Sequence, residues 1–383
     1  MNLQYRKFGK LDWNASVLGF GCMRLPTVDG DPHSSDIDEA EAVRMIRHAV
    51  DRGVNYFDTA YVYHEGKSET ILGKALRGHR DQVRIATKSP VWLIQQETDF
   101  DRMLNEQLVR LQTDHIDFYL LHALGKKRWS ECVLKYKLLE KAEAAIRDGR
   151  IRHLGFSFHD DYASFPDIIN GYDRWTFCQI QYNYMDTESQ AGTQGLKLAA
   201  ARGLAVVIME PLLGGRLANP PSSIRQVIEH ADVKRSPADW ALQWLWNQPE
   251  VSVVLSGMSN MDQVKANLNS ASRARSHSFQ PADLKLIADL QQKYRERAAI
   301  PCTKCNYCMP CPNGVNIPDN FEIYNEAFLH EDIPGARFKY QIFVPEATRA
   351  GVCLACHDCE DRCPQKIAIS EWMPKVDALL GAA

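Results

Sequence analysis

Eight of the eleven cysteines crowd between residues 302 and 363, in two runs that each close on proline. The first, C-T-K-C-N-Y-C-M-P-C-P, supplies Cys302, Cys305, Cys308 and Cys311. The second, C-L-A-C-H-D-C-E-D-R-C-P, supplies Cys353, Cys356, Cys359 and Cys363. Overlapping C-x2-C-x2-C spacing brings three thiolates to three corners of one four-iron four-sulfur cubane, and in two-cluster proteins the cysteine before proline ligates the other cluster. By that logic Cys302, Cys305, Cys308 and Cys363 hold one cluster, and Cys353, Cys356, Cys359 and Cys311 hold the second. Zinc also uses C-x2-C pairs, but it sets two pairs about a tetrahedron and has no use for a third overlapping thiol. The first run has two residues rather than three before its last cysteine, so the partition of ligands stays open.

A second constellation lies in the first half of the chain. Asp58 and Lys88 lie at the ends of apolar runs, His122 ends another, and Tyr63 follows Asp58 by five residues. Singly, Asp58 reads as a helix cap, Lys88 as a solvated strand end, Tyr63 as a loop aromatic and His122 as a hydrogen-bonded core histidine. Together they are four ionisable types at the same relative place in successive repeats, which is where a barrel enzyme keeps its chemistry.

The elements that must position them are regular. The runs VLGFG, VNYFDTA, VRIATKS, IDFYLLH, IRHLGFS, FCQIQYN, LAVVIME and VSVVLSG are continuous and apolar, as parallel strands buried on both faces require. Helical segments separate them, including 99–111, 130–148, and one that Asp36 and Glu39 start, with Val43, Ile46 and Val50 on one face. Eight such units predict an α/β fold, a closed (β/α)8 TIM barrel. A doubly wound dinucleotide fold would want G-x-G-x-x-G after its first strand, whereas Gly19 to Arg24 reads G-F-G-C-M-R. Residues 2–15 are expected to form a hairpin around Gly9 and Lys10 that plugs the barrel floor. A helix over 281–297 ends the barrel region, giving domains 1–298 and 299–383, the latter a small, mainly helical dicluster ferredoxin-like domain with a helix in FEIYNEAFLH.

In GVNYFDTAYVYHEGKSE, IATK, DFYLLH and IRHLGFS the sequence resembles the aldo-keto reductase superfamily over about residues 3–270. With its tail it resembles the subgroup that carries a ferredoxin-type extension. The resemblance implies an NADP(H)- or NAD(H)-dependent carbonyl reductase or alcohol dehydrogenase. Tyr63 would donate the proton, Lys88 would assist it, Asp58 would hold Lys88, and His122 would orient the carbonyl. It further implies that Ser157 and Gln179 bind the nicotinamide carboxamide. Met209 takes the place of the aromatic that stacks on it, Gly214 and Gly215 meet the pyrophosphate, and Ser259, Gln263 and Asn267 contact the adenosine end. The chain departs from the family in having Phe158 after the serine. Ser256 and Gln263 replace a lysine and an arginine, leaving the choice between NADH and NADPH open.

Composition narrows the classes. Hydrophobic residues make up 45% and charged residues 24%, with a formal net charge of -3. No basic stripe suits nucleic acid, and no apolar run approaches the roughly 18 residues of a membrane span. Without a secretory leader the expectation is a cytoplasmic, membrane-free enzyme whose cysteines serve metal rather than disulfides. The expected partners are a small carbonyl or alcohol substrate and a redox partner protein or flavin, though no flavin fingerprint is present. The alternatives are an electron-transfer protein between a barrel-bound cofactor and a redox partner, or a dinucleotide-sensing module.

Overall fold

A computed structural model of the chain describes residues 2–31 and 34–381. Those residues form two compact units, one running to Ala218 with Arg235–Gln280, the other comprising Asn219–Lys234 with the chain from Pro281 onward.

The first unit opens with a hairpin, β1 (Tyr5–Lys7) antiparallel to β2 (Asn14–Ser16). Eight strands follow: β3 (Leu18–Gly21), β4 (Tyr56–Asp58), β5 (Arg84–Ser89), β6 (Ile116–Leu124), β7 (Ile151–Phe158), β8 (Phe177–Gln181), β9 (Ala205–Met209) and β10 (Val251–Gly257). They close in chain order, all parallel, with β10 returning to β3. The apolar runs are continuous because one face of each strand packs inside the barrel and the other beneath helices; every residue of β6 is buried.

Phe8 fills the N-terminal mouth, its ring 4.6 Å from Phe118 and 5.7 Å from both Tyr56 and Phe177, so the hairpin does plug the floor. Gly9 makes the tight approach that this needs. Its φ is +57°, and a Cβ there would stand 2.6 Å from the Ala205 nitrogen. Gly9→Ala combines a left-handed backbone with a backbone clash, and is expected to destabilise the barrel by about 2 kcal/mol or more. An unchanged denaturation midpoint would refute that account of the plug.

Two helix expectations are corrected. The first helix is Glu39–Asp51, and its cap is Asp38, which accepts from the Glu41 N–H at 3.0 Å. Asp36 is held in an extended bridge, its carbonyl accepting from Val28. The stretch 130–148 is not one helix. A π-helical segment, Trp129–Leu134, gives way at Lys137 (φ +51°) to a helix over Leu138–Arg147.

The second unit is helical, with helices Ser222–Glu229, Pro281–Arg295, Ile317–Leu329, Ile333–Phe343 and Ile369–Leu380. Val315, Phe321, Tyr340, Met373 and Val376 are at its core, together with Cys308, Cys359 and Cys363. Asn325 pins the entry to the first cysteine run, receiving the Ile300 N–H at 2.8 Å and donating to the Ile300 carbonyl at 2.7 Å. Among the described residues no helix is long and apolar enough to cross a membrane.

Candidate functional site

Asp58 ends β4, and Lys88 is the penultimate residue of β5. Parallel register sets their strands side by side, with Asp58 opposite Ala86 and Lys88 opposite Leu120. The Lys88 ammonium is buried and donates to Asp58 Oδ1 at 2.6 Å, the Thr59 carbonyl at 2.8 Å and the Tyr63 hydroxyl at 3.3 Å. It also lies over the Tyr63 ring, 4.8 Å from its centre. Burial alone would push Lys88 down, but Asp58 and Tyr63 outweigh it and hold the ammonium charged. For Tyr63 burial dominates over the pull of Lys88, so its phenol is raised and stays protonated.

Tyr63 reaches this point through an unusual turn. His64 and Glu65 have φ of +48° and +56°, followed by Gly66 at +87°. Non-glycine residues in this region cost of order 1–3 kcal/mol each and persist where the surroundings enforce them. Here the buried His64 ring does so, its Nδ1 2.6 Å from the Ser34 carbonyl and its Nε2 accepting from the Leu25 N–H at 3.3 Å.

His122 lies edge-on to Tyr63, ring centres 6.1 Å apart. Burial, then Lys88, His159 and Arg128, keep its imidazole well below its ordinary range, so it is neutral. Its Nδ1 is buried without a hydrogen-bond partner among the described residues. A neutral imidazole beside a charged ammonium and a protonated phenol can steady an oxygen that gains negative charge while the phenol supplies a proton.

The structure gathers Ser157 and Gln179 on adjacent strands in register. The Ser157 oxygen accepts from the Ala123 N–H at 2.7 Å. The Gln179 amide lies beside Asp58, and its buried Oε1 has no hydrogen-bond partner among the described residues. Met209 ends β9, its carbonyl accepting from the Tyr182 N–H. Gly214 and Gly215 both have positive φ, and a Cβ at Gly215 would meet open space. Ser259 and Gln263 are tied together, the Ser259 N–H donating to Gln263 Oε1 at 2.8 Å while Asn260 caps the helix by accepting from the Gln263 N–H at 3.0 Å. Asn267 is buried and donates to the Ser256 hydroxyl at 2.9 Å, so it braces β10 from within.

Arg24 was not foreseen from the sequence. It follows the turn after the first barrel strand, donates to the Gly214 carbonyl at 2.6 Å, and its own carbonyl accepts from the Ser259 hydroxyl at 3.1 Å. It thereby ties together the two segments expected at the dinucleotide. The only signal for it was a lone arginine at the end of G-F-G-C-M-R.

In the second unit, Cys302, Cys305, Cys308 and Cys363 line one cavity, with Phe321 and Ile369 among its apolar walls. The Cys308 thiol is raised by burial and then by Cys302, Cys305 and Cys363. Cys359 is pushed up to about 11 by burial, then by Glu360, Cys311 and Cys356. Cys353 precedes these, its sulfur accepting from the Ala355 N–H at 3.5 Å, and Asn313 donates to Cys356 at 3.7 Å. Both runs carry the same backbone pattern. Lys304 and Asn306 in the first, and Ala355 and His357 in the second, have φ of +53°, +62°, +51° and +67°. Such alternation turns successive N–H groups inward into a nest of the type found around iron-sulfur clusters. Among the described residues no three His, Cys, Asp or Glu side chains are gathered tightly enough for a single metal ion. The residues that would hold a cluster are the four cysteines that share one cavity, Cys302, Cys305, Cys308 and Cys363.

The barrel, with its acid, lysine, tyrosine and histidine at the C-terminal strand ends, and the cysteine-bearing helical unit define an oxidoreductase with an iron-sulfur domain. The chain belongs to the aldo/keto reductase family, whose model matches residues 17–287, and a 4Fe-4S dicluster domain matches residues 301–368. It is similar to the uncharacterised oxidoreductase YqkF of Bacillus subtilis (strain 168), 25% identical, covering 71% of this chain and 92% of that one. Protein tas of Escherichia coli (strain K12) is likewise 25% identical, over 70% of this chain and 93% of its own. Among solved structures the chain resembles aldo-keto reductase AKR11C1 from Bacillus halodurans in its holo form. The TM-score is 0.62 and the identity 27%, covering 75% of this chain and 96% of that one.

Proposed function

We propose that the protein is a nicotinamide-dependent carbonyl reductase, or an alcohol dehydrogenase in reverse, whose C-terminal unit holds two four-iron four-sulfur clusters for electron transfer. The observation that carries the reading is the Lys88 ammonium, which binds the Asp58 carboxylate on one side and the Tyr63 hydroxyl on the other. A bound nicotinamide supplies hydride to the carbonyl carbon. Tyr63 gives its proton to the carbonyl oxygen, and Lys88 stabilises the phenolate left behind until solvent restores the proton. His122 orients the carbonyl oxygen through an N–H. Ser157 and Gln179 would hold the carboxamide, the unpartnered Gln179 Oε1 accepting from its amide. Gly214, Gly215, Arg24, Ser259 and Gln263 would flank the phosphates and adenosine, whereas Asn267 acts from within the strand-helix packing.

The test is anaerobic turnover of cluster-reconstituted protein against a panel of aldehydes and ketones with NADH and with NADPH. Reduction with at least one nicotinamide is expected; its absence across the panel would overturn the reading. Cluster absorbance in the same samples checks a second expectation. Hydride carries two electrons together and a cluster takes one, so a carrier such as flavin is needed between them. The clusters are expected to stay oxidised with nicotinamide alone and to bleach when free flavin is added. Rapid bleaching without flavin would make the clusters part of the barrel's own cycle.

A further inference from the structure

Arg128 is a cation with no carboxylate paired to it among the described residues. It follows β6 by four residues, and its guanidinium stands 4.9 Å over the centre of the Trp92 ring. That ring is itself 5.0 Å from the His122 imidazole. Arg128 Nη1 donates at 2.7 Å to the carbonyl of Ala123, the residue after His122. Ala123 has φ +55°, and the pairing of β6 with β7 shifts register between Leu121 and Leu124. Irregularities of this kind re-aim side chains beside active sites, and here the one that aims His122 is gripped by Arg128. A π-helical segment begins at the next residue, and such segments recur at functional sites.

Arg128 is half-buried, yet among the described residues no carboxylate pairs with it. The charged or titratable groups that feel it are His122, His159 and Cys132. Lys126 and Lys127, both exposed, add positive charge to the same loop. The neighbouring acids are engaged elsewhere. Asp160 accepts from the Lys126 N–H and the Ser164 hydroxyl, and Glu131 lies 4.0 Å from Lys127. A partly desolvated guanidinium without an anion is unfavourable, and its planar fork matches a carboxylate in two parallel hydrogen bonds.

We infer that Arg128 is a specificity-determining residue, and that the substrate is a short aliphatic oxo acid whose carboxylate binds Arg128 while its carbonyl meets Tyr63 and His122. The exposed Trp92 ring adjoins both Arg128 and His122 and offers an apolar surface for the intervening carbons. This deepens the carbonyl-reductase reading and rests on it for the carbonyl end only.

The experiment compares reduction of succinate semialdehyde and 4-oxopentanoate with that of their methyl esters, in the full-length protein and in Arg128→Met and Arg128→Lys variants. The wild type is expected to favour at least one acid over its ester by on the order of 10- to 100-fold, mainly in KM, as charge-assisted hydrogen bonds discriminate. Arg128→Met should cut acid turnover far more than ester turnover and so erase the preference, and Arg128→Lys should recover part of it. Equal use of acid and ester by the wild type, or an equal loss of both in Arg128→Met, overturns the inference, the latter marking Arg128 as a support for the bulge alone. Tryptophan fluorescence with oxidised nicotinamide present separates this from failure of the reductase reading. Succinate should bind the wild type more tightly than its dimethyl ester and lose that advantage in Arg128→Met, whether or not any carbonyl is reduced. No advantage in the wild type again counts against the inference.

Discussion

Tyr63→Phe is expected to lower carbonyl reduction by about three orders of magnitude, within the range that a positioned general acid contributes, while dinucleotide binding is retained. The substitution is clean. The Tyr63 ring is only half-buried, and among the described residues its hydroxyl's one hydrogen bond is the 3.3 Å contact from Lys88, whose stronger bonds to Asp58 and Thr59 remain. Lys88→Met should abolish turnover too, but at a cost in stability. It would strand the buried Asp58 carboxylate, and breaking a buried pair costs about 3–5 kcal/mol. The pH profile carries the same test in a form that folding does not mimic. Burial raises the Tyr63 phenol above its ordinary value near 10, so the proton needed for reduction is present throughout the neutral range. Reduction should therefore show no loss from Tyr63 until strongly alkaline pH, where the phenol ionises. Oxidation of the alcohol needs the ionised form and should rise over the same window. A Tyr63→Phe enzyme at wild-type rate would remove Tyr63 from the chemistry.

The division between what the chain disclosed in advance and what it withheld follows physical scale. Eight apolar runs were legible because strands buried on both faces must be apolar at every position, and all eight became barrel strands within a few residues of their expected ends. Asp58, Lys88 and His122 were legible because each falls at the polar end of such a run, and parallel register then sets the ends side by side. Hidden were the features made by backbone bending: the left-handed His64 and Glu65, the register shift after Leu121, and the π-helical segment at Trp129. None has a residue signature, since no glycine stands at any of those positions; the surrounding packing enforces them. Asp36 was mistaken for the first helix cap because local spacing could not reveal that Val28 holds its carbonyl in an extended bridge. Asn267 is expected from its polarity to contact a cofactor, while its hydrogen bond to Ser256 inside the packing has no signature in the sequence. Arg128 was passed over for the same reason. As part of Lys126-Lys127-Arg128 it looks like a solvated charge, and only its stacking on Trp92 sets it apart.

The cysteine module offers the other large effect, because the thiols that share its cavity come from both runs. Cys363 belongs by sequence to the second run but lines the cavity of Cys302, Cys305 and Cys308. Anaerobically purified protein should hold about eight irons and eight acid-labile sulfides per chain if two cubanes are bound. Cys305→Ala and Cys363→Ala, 58 residues apart in the sequence, should each leave about four irons, and combining them should remove no more, since both act on one cluster. Adding Cys356→Ala to either should remove the rest. Thermodynamic independence of separate sites gives this pairing its meaning: changes at one site do not add, and changes at distinct sites do. If the two runs instead each hold their own cluster, Cys305→Ala with Cys363→Ala would strip all the iron while either alone stripped half. That outcome would reverse the partition. Zinc without sulfide in the wild type would remove the clusters altogether. Cys305 is exposed and Cys363 buried, so a fold defect would separate the two variants in thermal stability, whereas loss of the same cluster would give both the same absorbance and electron paramagnetic resonance spectra.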